Sequence, residues 1–397
     1  MSDLPGDLVE EILCRVPATS LSQLRYTCKQ WNNIFNNRTF TRKHSDKAAK
    51  QFQVLMLKHN EVCMMSVNFC GVPSIEIKGE YGLTNPQATF EIFQVSHCEG
   101  LLLCTNRRYS RIVVWNPCTG ETNWLRPRKR GWSCVLGSYQ DKNYGGNSYK
   151  ILSFPDGKYK RFAIYEINTK VWKTLDVTLD CKLECFDYGK SLKGKTYWFA
   201  FDKNEEQLGM FLVSFDYTRE IFERLLLPCL CRYYEAFSVS VVREEKLSVL
   251  LQNGDASKTE IWVTNKIDND TKVVSWSKFL TVDLKAQLCI GGFTNFLVDE
   301  EKKFIVVCQC SLLGDFPIKQ VVYIGGEDNK VIQVYSGYTS SLQCLFYYVP
   351  SLTQISCVSN SKTWLSSKLI PFMFSLLFLD GKTRQYLNNN NKIMFTC

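Results

Sequence analysis

The sequence predicts a small helical module followed by a large all-β domain with the architecture of a β-propeller. Two observations carry this prediction. Residues 1 to 45 place apolar side chains at helical spacing and are interrupted by proline. From residue 52 onward the pattern changes to short strands separated by polar turns, and similar segments recur at nearly constant intervals along the chain.

Composition and cysteine usage exclude several classes of protein. The chain has 397 residues, of which 45% are hydrophobic, which is enough for a large core beside a small second module. The 18 cysteines do not follow the spacing of a disulfide framework, so we expect a reducing compartment, the cytoplasm and/or the nucleus. The longest apolar run, residues 369 to 379, is far shorter than the roughly 20 residues of a membrane helix. We expect no membrane partner.

The net charge of +9 does not predict a nucleic-acid partner. Within residues 1 to 40, four basic side chains balance four acidic ones, so the helical module is neutral. The densest basic cluster is RPRKR at residues 126 to 130, a weak match to a nuclear-localisation or phosphate-binding patch. A loop solvated by its charges explains this cluster at least as well.

The first helix is predicted from about Pro5 to Val16. Leu8, Ile12 and Val16 recur every four residues on one stripe, and Pro17 stops the helix. Proline suits the first turn because its missing N–H would have no partner there. The apolar surface is therefore wide for so short a helix.

Two more short helices are predicted within the next twenty residues. Ser20 and Gln23 form a possible capping box for the second helix, and Trp31 begins the apolar face of the third. The apolar positions at helical spacing are Leu21, Leu24 and Cys28, then Ile34 and Phe35. Three helices in roughly 40 residues rarely close a core of their own, so the remaining apolar face requires a partner.

The segment LPGDLVEEILCRVPATSLSQLRYTCKQWNNIF, residues 4 to 35, resembles an F-box. The Leu-Pro opening, the Arg-Val-Pro stop, the Ser-Leu start and Cys-Lys-x-Trp all match in register. The resemblance implies an F-box over residues 1–45 that docks on a Skp-type adaptor, which joins it to cullin and RING subunits. The residues implied to line or support this contact are Leu4, Pro5, Leu8, Ile12, Val16, Pro17, Leu21, Leu24 and Trp31.

Some of these side chains are expected to hold the three helices together instead. Leu4, Pro5 and Leu8 are difficult to use internally, whereas Leu24 and Trp31 are expected to divide between the two roles.

The β domain is predicted from five similar hairpins. The first four occupy residues 113–125, 163–175, 213–225 and 261–280, and each has an apolar strand, a polar turn containing Thr and a returning strand with Trp or Phe. The turn threonines at 119, 169, 218 and 271 are 50, 49 and 53 positions apart. Residues 321–335 add a fifth copy with Asn329 in the Thr position.

Other strand-like runs lie between these hairpins, and they begin near residues 100, 149, 194, 246 and 302. A unit of about 50 residues with about four strands is typical of a propeller of the kelch type, with a two-sheet sandwich as the alternative. The double-glycine kelch mark does not occupy one place in the unit, which leaves the number of blades open.

The β region also resembles the F-box-associated domain of plant F-box proteins. The resemblance is carried by HCEGLLL at 97–103, VVWNPCTGETNWL at 113–125, SFDYTREIFERLLLP at 214–228, and YSGY and YVPSL between 335 and 352. It covers residues 52–352. Residues 353–397 do not resemble another blade, and we predict a tail of uncertain structure.

Catalytic, metal and cofactor chemistry is not predicted. None of the three histidines has a second histidine at ligand spacing, and Cys229-x-Cys231 and Cys308-x-Cys310 lack the usual two-residue gap of zinc sites. His97 and Cys98 are adjacent on a predicted strand and therefore point to opposite faces, which disfavours a nucleophile pair. We predict no catalytic residue, no metal and no cofactor.

Two functions of different class remain open. The first is a non-catalytic substrate-recognition subunit of an SCF-type (Skp, cullin, F-box) E3 ubiquitin ligase, in which the β domain binds an unknown target protein. The alternative is a propeller enzyme or sugar-binding module unrelated to ubiquitin. A DNA-binding helix-turn-helix is disfavoured because the helical module is neutral.

Overall fold

The computed structural model is a helical module seated on a six-bladed β-propeller. It describes residues 5–25, 27, 29–68, 72–83, 90–141, 146–155, 161–184, 189–202, 209–229, 234–253, 258–267, 274–284, 293–311, 318–328, 330–339 and 345–355. All but the first three residues of the predicted tail fall outside these ranges.

The helical module has four helices, one more than the sequence predicts. They are α1 (Gly6–Leu13), α2 (Ala18–Leu24), α3 (Lys29–Phe35) and α4 (Arg38–Lys47). Asn37 is the N-cap of α4, because its side-chain oxygen accepts from the backbone N–H of Thr39 at 2.8 Å and of Phe40 at 3.4 Å. Helix α4 was not predicted, because its sequence is mostly polar and only Phe40 and His44 are buried.

Proline sets the start of both of the first two helices. Pro5 and Pro17 are the N-cap residues, with φ near −55° and extended ψ, so each helix begins one residue later. The predicted capping box at Ser20 is wrong. The Pro17 carbonyl already accepts from the backbone N–H of Ser20 and Leu21, which places Ser20 inside α2.

Five blades each consist of consecutive antiparallel strands, and the first three strands of the chain belong to the first blade, which is divided along the chain. These three are β1 (Gln53–Lys58), β2 (Glu61–Asn68) and β3 (Ser74–Tyr81). The second blade has β4 (Gln94–Cys98), β5 (Leu101–Thr105), β6 (Ile112–Trp115) and β7 (Thr122–Leu125); the third has β8 (Trp132–Asp141), β9 (Gly146–Pro155), β10 (Phe162–Glu166) and β11 (Val171–Leu175).

The fourth blade contains five strands, because its innermost position is shared by two short ones. They are β12 (Lys182–Leu183), β13 (Lys190–Leu192), β14 (Lys195–Phe201), β15 (Met210–Asp216) and β16 (Ile221–Leu225). The fifth has β17 (Tyr234–Val242), β18 (Lys246–Asn253), β19 (Thr259–Thr264) and β20 (Trp276–Val282); the sixth has β21 (Phe293–Asp299), β22 (Phe304–Ser311), β23 (Ile318–Gly326) and β24 (Val331–Thr339).

The ring closes through a blade built from both ends of the β domain. The last described strand, β25 (Leu345–Tyr348), pairs antiparallel with β1, so the sheet order is β25-β1-β2-β3. This arrangement confirms the propeller over the sandwich. Only five hairpins were recognised in the sequence because the first blade is divided between distant parts of the chain.

The period of 50 residues is a structural repeat of the turn between the third and fourth strands. In three blades the backbone N–H of Gly120, Lys170 and Glu220 donates to the carbonyl four residues earlier, and each donor has a positive φ. These donors are 50 positions apart, so the residue equivalent to Thr119 and Thr169 is Arg219, and the predicted alignment at Thr218 was one residue early. Thr271 and Asn329 lie outside the described residues.

The helical module completes its core with residues of the propeller. Leu13, Leu21, Phe35 and Phe40 are buried in one cluster with Leu352, which follows β25. Cys118, in the β6–β7 turn, also packs against this cluster. The module therefore sits on one propeller face, which we call the module face; it contains the turns after the innermost strands and between the third and fourth strands.

Candidate functional site

The most unusual surface of the helical module is an apolar face on α1. Leu8 and Ile12 are 51% and 53% exposed, although α1 is an ordered helix packed on its own core. Leu13 is buried and Val9 half-buried in that core. Neighbouring residues of a helix point about 100° apart around its axis. Leu8 therefore points about 100° away from Val9, and Ile12 points about 100° away from Leu13. The apolar surface of α1 is therefore wider than the internal core requires.

Two ion pairs connect α1 to α4, and a third joins Glu11 to Arg15 just beyond the end of α1. Lys47 Nζ lies 2.7 Å from Glu11 Oε2, Arg15 Nη1 lies 2.6 Å from Glu11 Oε1, and Lys43 Nζ lies 3.7 Å from Glu10 Oε2. Hydrogen bonds from Lys47 and then Arg15 lower the pKa of Glu11. The exposure of Leu8 and Ile12 is thus a property of a positioned helix rather than of a frayed end.

The other predicted contact residues divide into exposed, half-buried and buried groups. Pro5 and Leu24 are exposed, the latter at 36%. Leu21 is fully buried, so its side chain supports the module's core. The half-buried residues are Val16, Pro17 and Trp31. Leu4 lies outside the described residues.

A cavity of about 830 Å³ lies between α4 and the mouth of the propeller channel. His97 lines it and stacks on Phe346 at a ring-centroid distance of 6.0 Å. Its Nε2 accepts from the backbone N–H of Gly100 at 3.2 Å. Burial lowers the pKa of His97 to about 4 and raises that of Cys98 well above its usual value, so both are neutral near pH 7.

The cysteine and histidine pairs behave as packing residues. His97 and Cys98 both line the cavity, and Cys98 also packs in a buried cluster with Leu101 and Leu103. Cys308 and Cys310 are fully buried in the core, and Cys231 lies outside the described residues. No group of three potential metal ligands occurs within the described ranges. In the same part of the chain, no helix has the length and apolar character needed to cross a bilayer.

Comparison with protein-family models assigns both modules. Residues 1–43 match the F-box domain, and residues 53–355 match the F-box associated beta propeller domain. The chain belongs to the F-box proteins that carry an F-box-associated β-propeller. F-box domains generally bind Skp-type adaptors.

Relatives from Arabidopsis thaliana span nearly the whole F-box protein. Probable F-box protein At5g47300 is 58% identical over 364 residues, covering 89% of this chain and 87% of the relative. F-box protein ETP2 is 46% identical and covers 90% of this chain and 97% of the relative. F-box/kelch-repeat protein At3g44120 is 42% identical and covers 91% and 98%.

The residues that seat the F-box on the propeller were missed from the sequence. Gln354 Nε2 donates to the carbonyl of Asn36 at 2.6 Å, and Lys50 Nζ lies 2.9 Å from Glu244 Oε2. Leu352 and Cys118 contact the F-box core, and they belong to the YVPSL and NPCTGE segments whose resemblance indicated only the propeller. Cys118 directly follows Pro117 and Leu352 lies two residues after Pro350, and these prolines were the available signal.

Proposed function

We propose that this F-box protein is the substrate-recognition subunit of an SCF-type E3 ubiquitin ligase. The observation that carries the proposal is the exposure of Leu8 and Ile12 on a helix that is otherwise fixed on both sides. Complete burial of such a side chain contributes about 1.5–3 kcal/mol, so covering the exposed half of Leu8 or Ile12 contributes roughly half of that. Pro5, Leu8, Ile12 and Leu24 would contact the Skp-type adaptor, and Leu21 with half-buried Val16, Pro17 and Trp31 would support them.

The target would bind the propeller face opposite the F-box. The module face is partly covered by the F-box, through Leu352, Gln354 and the Lys50–Glu244 pair. The opposite face contains the connections between second and third strands and those from one blade to the next. Connections at strand ends commonly carry binding residues on a rigid scaffold.

In this proposal the chain performs no chemistry itself. Adaptor, cullin and RING subunits would bring the activated ubiquitin to a target held by residues 52–352. The blades would be of the kelch type, which the names of some relatives support. The reducing compartment expected from the cysteines fits a ligase of the cytoplasm and/or nucleus.

The adaptor contact can be tested with paired surface variants of the full chain. Leu8→Asp with Ile12→Asp should lower affinity for a Skp-type adaptor by at least a hundredfold, because two carboxylates would be buried in an apolar contact. Leu226→Asp is a matched control, since Leu226 is 69% exposed on the propeller. Affinity is measured by titration calorimetry, and circular dichroism checks the fold.

The result that would overturn the proposal is adaptor binding that the Leu8/Ile12 double variant leaves unchanged. Target capture is then tested by purification from cells with the proteasome blocked, using wild type and the double variant. Proteins retained by both, while the adaptor is retained only by wild type, are candidate targets.

A further inference from the structure

A basic patch lies on the propeller at the open end of the β6–β7 hairpin. Six side chains define it: Arg108, Arg111, Arg126, Arg128, Lys129 and Arg130. Ile112 pairs with Leu125 at this end of the hairpin, which places the segments just before Ile112 and just after Leu125 side by side. Neither 106–111 nor 126–132 contains an acidic residue. Without these six cations the formal net charge would fall from +9 to +3.

The patch is held in a defined conformation by the neighbouring blade and by aromatic rings. Trp172 Nε1 donates to the carbonyl of Arg126 at 3.3 Å, and Arg128 Nη2 donates to Thr174 Oγ1 at 2.8 Å. Both partners belong to β11. Lys129 Nζ lies 5.4 Å from the centre of the Trp132 ring. Because these contacts already order the patch side chains, less conformational entropy would be lost when a partner binds.

Arg111 is fixed by two further rings. Its guanidinium carbon lies 5.3 Å from the Trp124 ring centre and 5.7 Å from that of Phe90, and these two rings meet edge to face. Arg111 is therefore a positioned cation at the inner margin of the patch.

The patch cations lack the ion pairs that neutralise other basic residues. On the module face, Lys50, Arg243 and Lys246 each contact a glutamate within 3 Å. Within the described part of the chain, none of the six patch residues has an acidic side chain within ion-pair distance, and four of them are exposed arginines, with Lys129 also exposed. An uncompensated cluster of this density favours an anionic partner.

The patch lies on the face away from the F-box. The turn at the other end of the same hairpin contains Cys118, which packs against the F-box core. The closed turn of the hairpin therefore contacts the F-box, and its open end carries the patch. A molecule bound at the patch would not compete with the F-box or with an adaptor bound to α1.

We propose that the basic patch binds an acidic, Asp/Glu-rich segment of a partner protein. The proposal rests on the proposed function in that such a segment would belong to the ubiquitination target. Arginine dominates the patch, and its planar guanidinium forms paired hydrogen bonds with carboxylates. Single-stranded nucleic acid fits less well, because base stacking requires an open aromatic face, and the rings of Trp124 and Trp132 are already contacted by Arg111 and Lys129.

Fluorescence anisotropy of the full-length protein with labelled probes tests the proposal. The probes are a 12-residue peptide of alternating Glu and Gly, the same peptide with Gln for Glu, and a 12-nucleotide single-stranded DNA. The acidic peptide should bind and weaken steeply as salt rises, since the charges are exposed. The Gln peptide should bind at least about tenfold more weakly, as expected for loss of several charge-assisted contacts.

A matched pair of triple variants locates the binding. Arg108→Gln, Arg126→Gln and Arg130→Gln remove three exposed cations whose side chains have no described partner, and should weaken peptide binding about tenfold or more. Lys170→Gln, Lys258→Gln and Lys319→Gln remove the same charge elsewhere on the propeller and should change the affinity less than about twofold. Equal loss in both triples would show a nonspecific charge effect and overturn the assigned site.

Further outcomes decide whether the patch binds acidic peptide at all, whether it prefers DNA, and whether it acts independently of the adaptor contact. No binding of the acidic peptide at low salt would overturn the proposal, and tighter binding of the DNA, lost in the patch triple, would replace the acidic protein with nucleic acid. The Leu8/Ile12 variant should bind the peptide normally, and the patch triple should bind the adaptor normally. Failure of the patch proposal is thus separable from failure of the adaptor proposal.

Discussion

Asn116 and Ser351 join the second blade to the segment that closes the propeller. Asn116 Nδ2 donates to the carbonyl of Ser351 at 2.9 Å and to that of Thr353 at 2.8 Å. Its Oδ1 accepts from the backbone N–H of Cys118 at 2.9 Å. A fully buried side chain thus fixes both a turn that contacts the F-box and the chain around Leu352, which completes the F-box core.

Asn116 has two roles that can be tested separately. Its Nδ2 holds the segment that closes the propeller, and its Oδ1 stabilises the β6–β7 turn. Asn116→Ala should lower the free energy of unfolding by roughly 2 kcal/mol or more, because two buried carbonyls lose their donor. It should also speed hydrogen exchange in β25 and residues 349–355. Asp216→Ala is the control, since Asp216 accepts from the backbone N–H of Thr218 and Arg219 in the equivalent turn of the fourth blade. Faster exchange of β25 in both variants would contradict the closing role.

Leu352 should stabilise the F-box rather than the propeller alone. It is 1% exposed and packs with Leu21, Phe35 and Phe40. Leu352→Ala should cost about 2–5 kcal/mol, as for other buried leucines, and the loss should appear as early melting of the helical signal in far-UV circular dichroism. Residues 1–45 alone should be only partly helical for the same reason. Leu226→Ala, on the exposed propeller surface, should change stability by less than about 0.5 kcal/mol. Equal melting of the F-box in both variants would contradict the shared core.

The cysteines of the HCEGLLLC motif should be dispensable for ubiquitin transfer. Cys98 and Cys104 are buried, and burial raises the pKa of each thiol, so neither is a thiolate near pH 7. Cys98→Ser and Cys104→Ser should leave ubiquitination by a reconstituted complex near wild type, with a stability loss of about 1 kcal/mol in thermal melts. Loss of transfer in a variant that still melts normally and binds adaptor and target would show unrecognised chemistry.

Acid should destabilise the protein through its buried histidines. The folded pKa of His97 is about 4, below the unfolded value near 6.5, so between these values the unfolded chain binds more protons. Stability is therefore lost as pH falls below 6.5, by up to about 2 kcal/mol at pH 5. His44 adds a loss of the same sign, because burial lowers its pKa while its Nε2 contacts the Val16 carbonyl at 2.7 Å.

Urea unfolding at pH 7 and pH 5 measures this effect. His97→Gln should reduce the difference between the two pH values, since Gln can still accept from Gly100 but does not titrate. A full pH dependence in His97→Gln would assign the effect to other groups.

Local signals were sufficient for the existence of α1 and for the repeated hairpins, although the first helix was predicted to continue to Val16 and α1 ends at Leu13. The spacing of Leu8, Ile12 and Val16 predicted the first helix, and the 50-residue interval identified strands in five blades, because both patterns are determined within a few neighbouring residues. The exact turn alignment failed at Thr218, since a single residue type is a weaker marker than the positive φ at Glu220.

Features that depend on distant residues required the tertiary structure. The sequence by itself determined a helical module with surplus apolar surface and a β domain of about 50-residue units. Only the tertiary structure decided that there are six blades, because β1 and β25 come from opposite ends of the β domain. It also decided which apolar residues of the F-box stay exposed: Leu352 and Cys118 pack against the cluster that contains Leu21, whereas about half of Leu8 and of Ile12 remains exposed. Burial depends on contacts across the whole fold, so the spacing of residues along one helix cannot specify it.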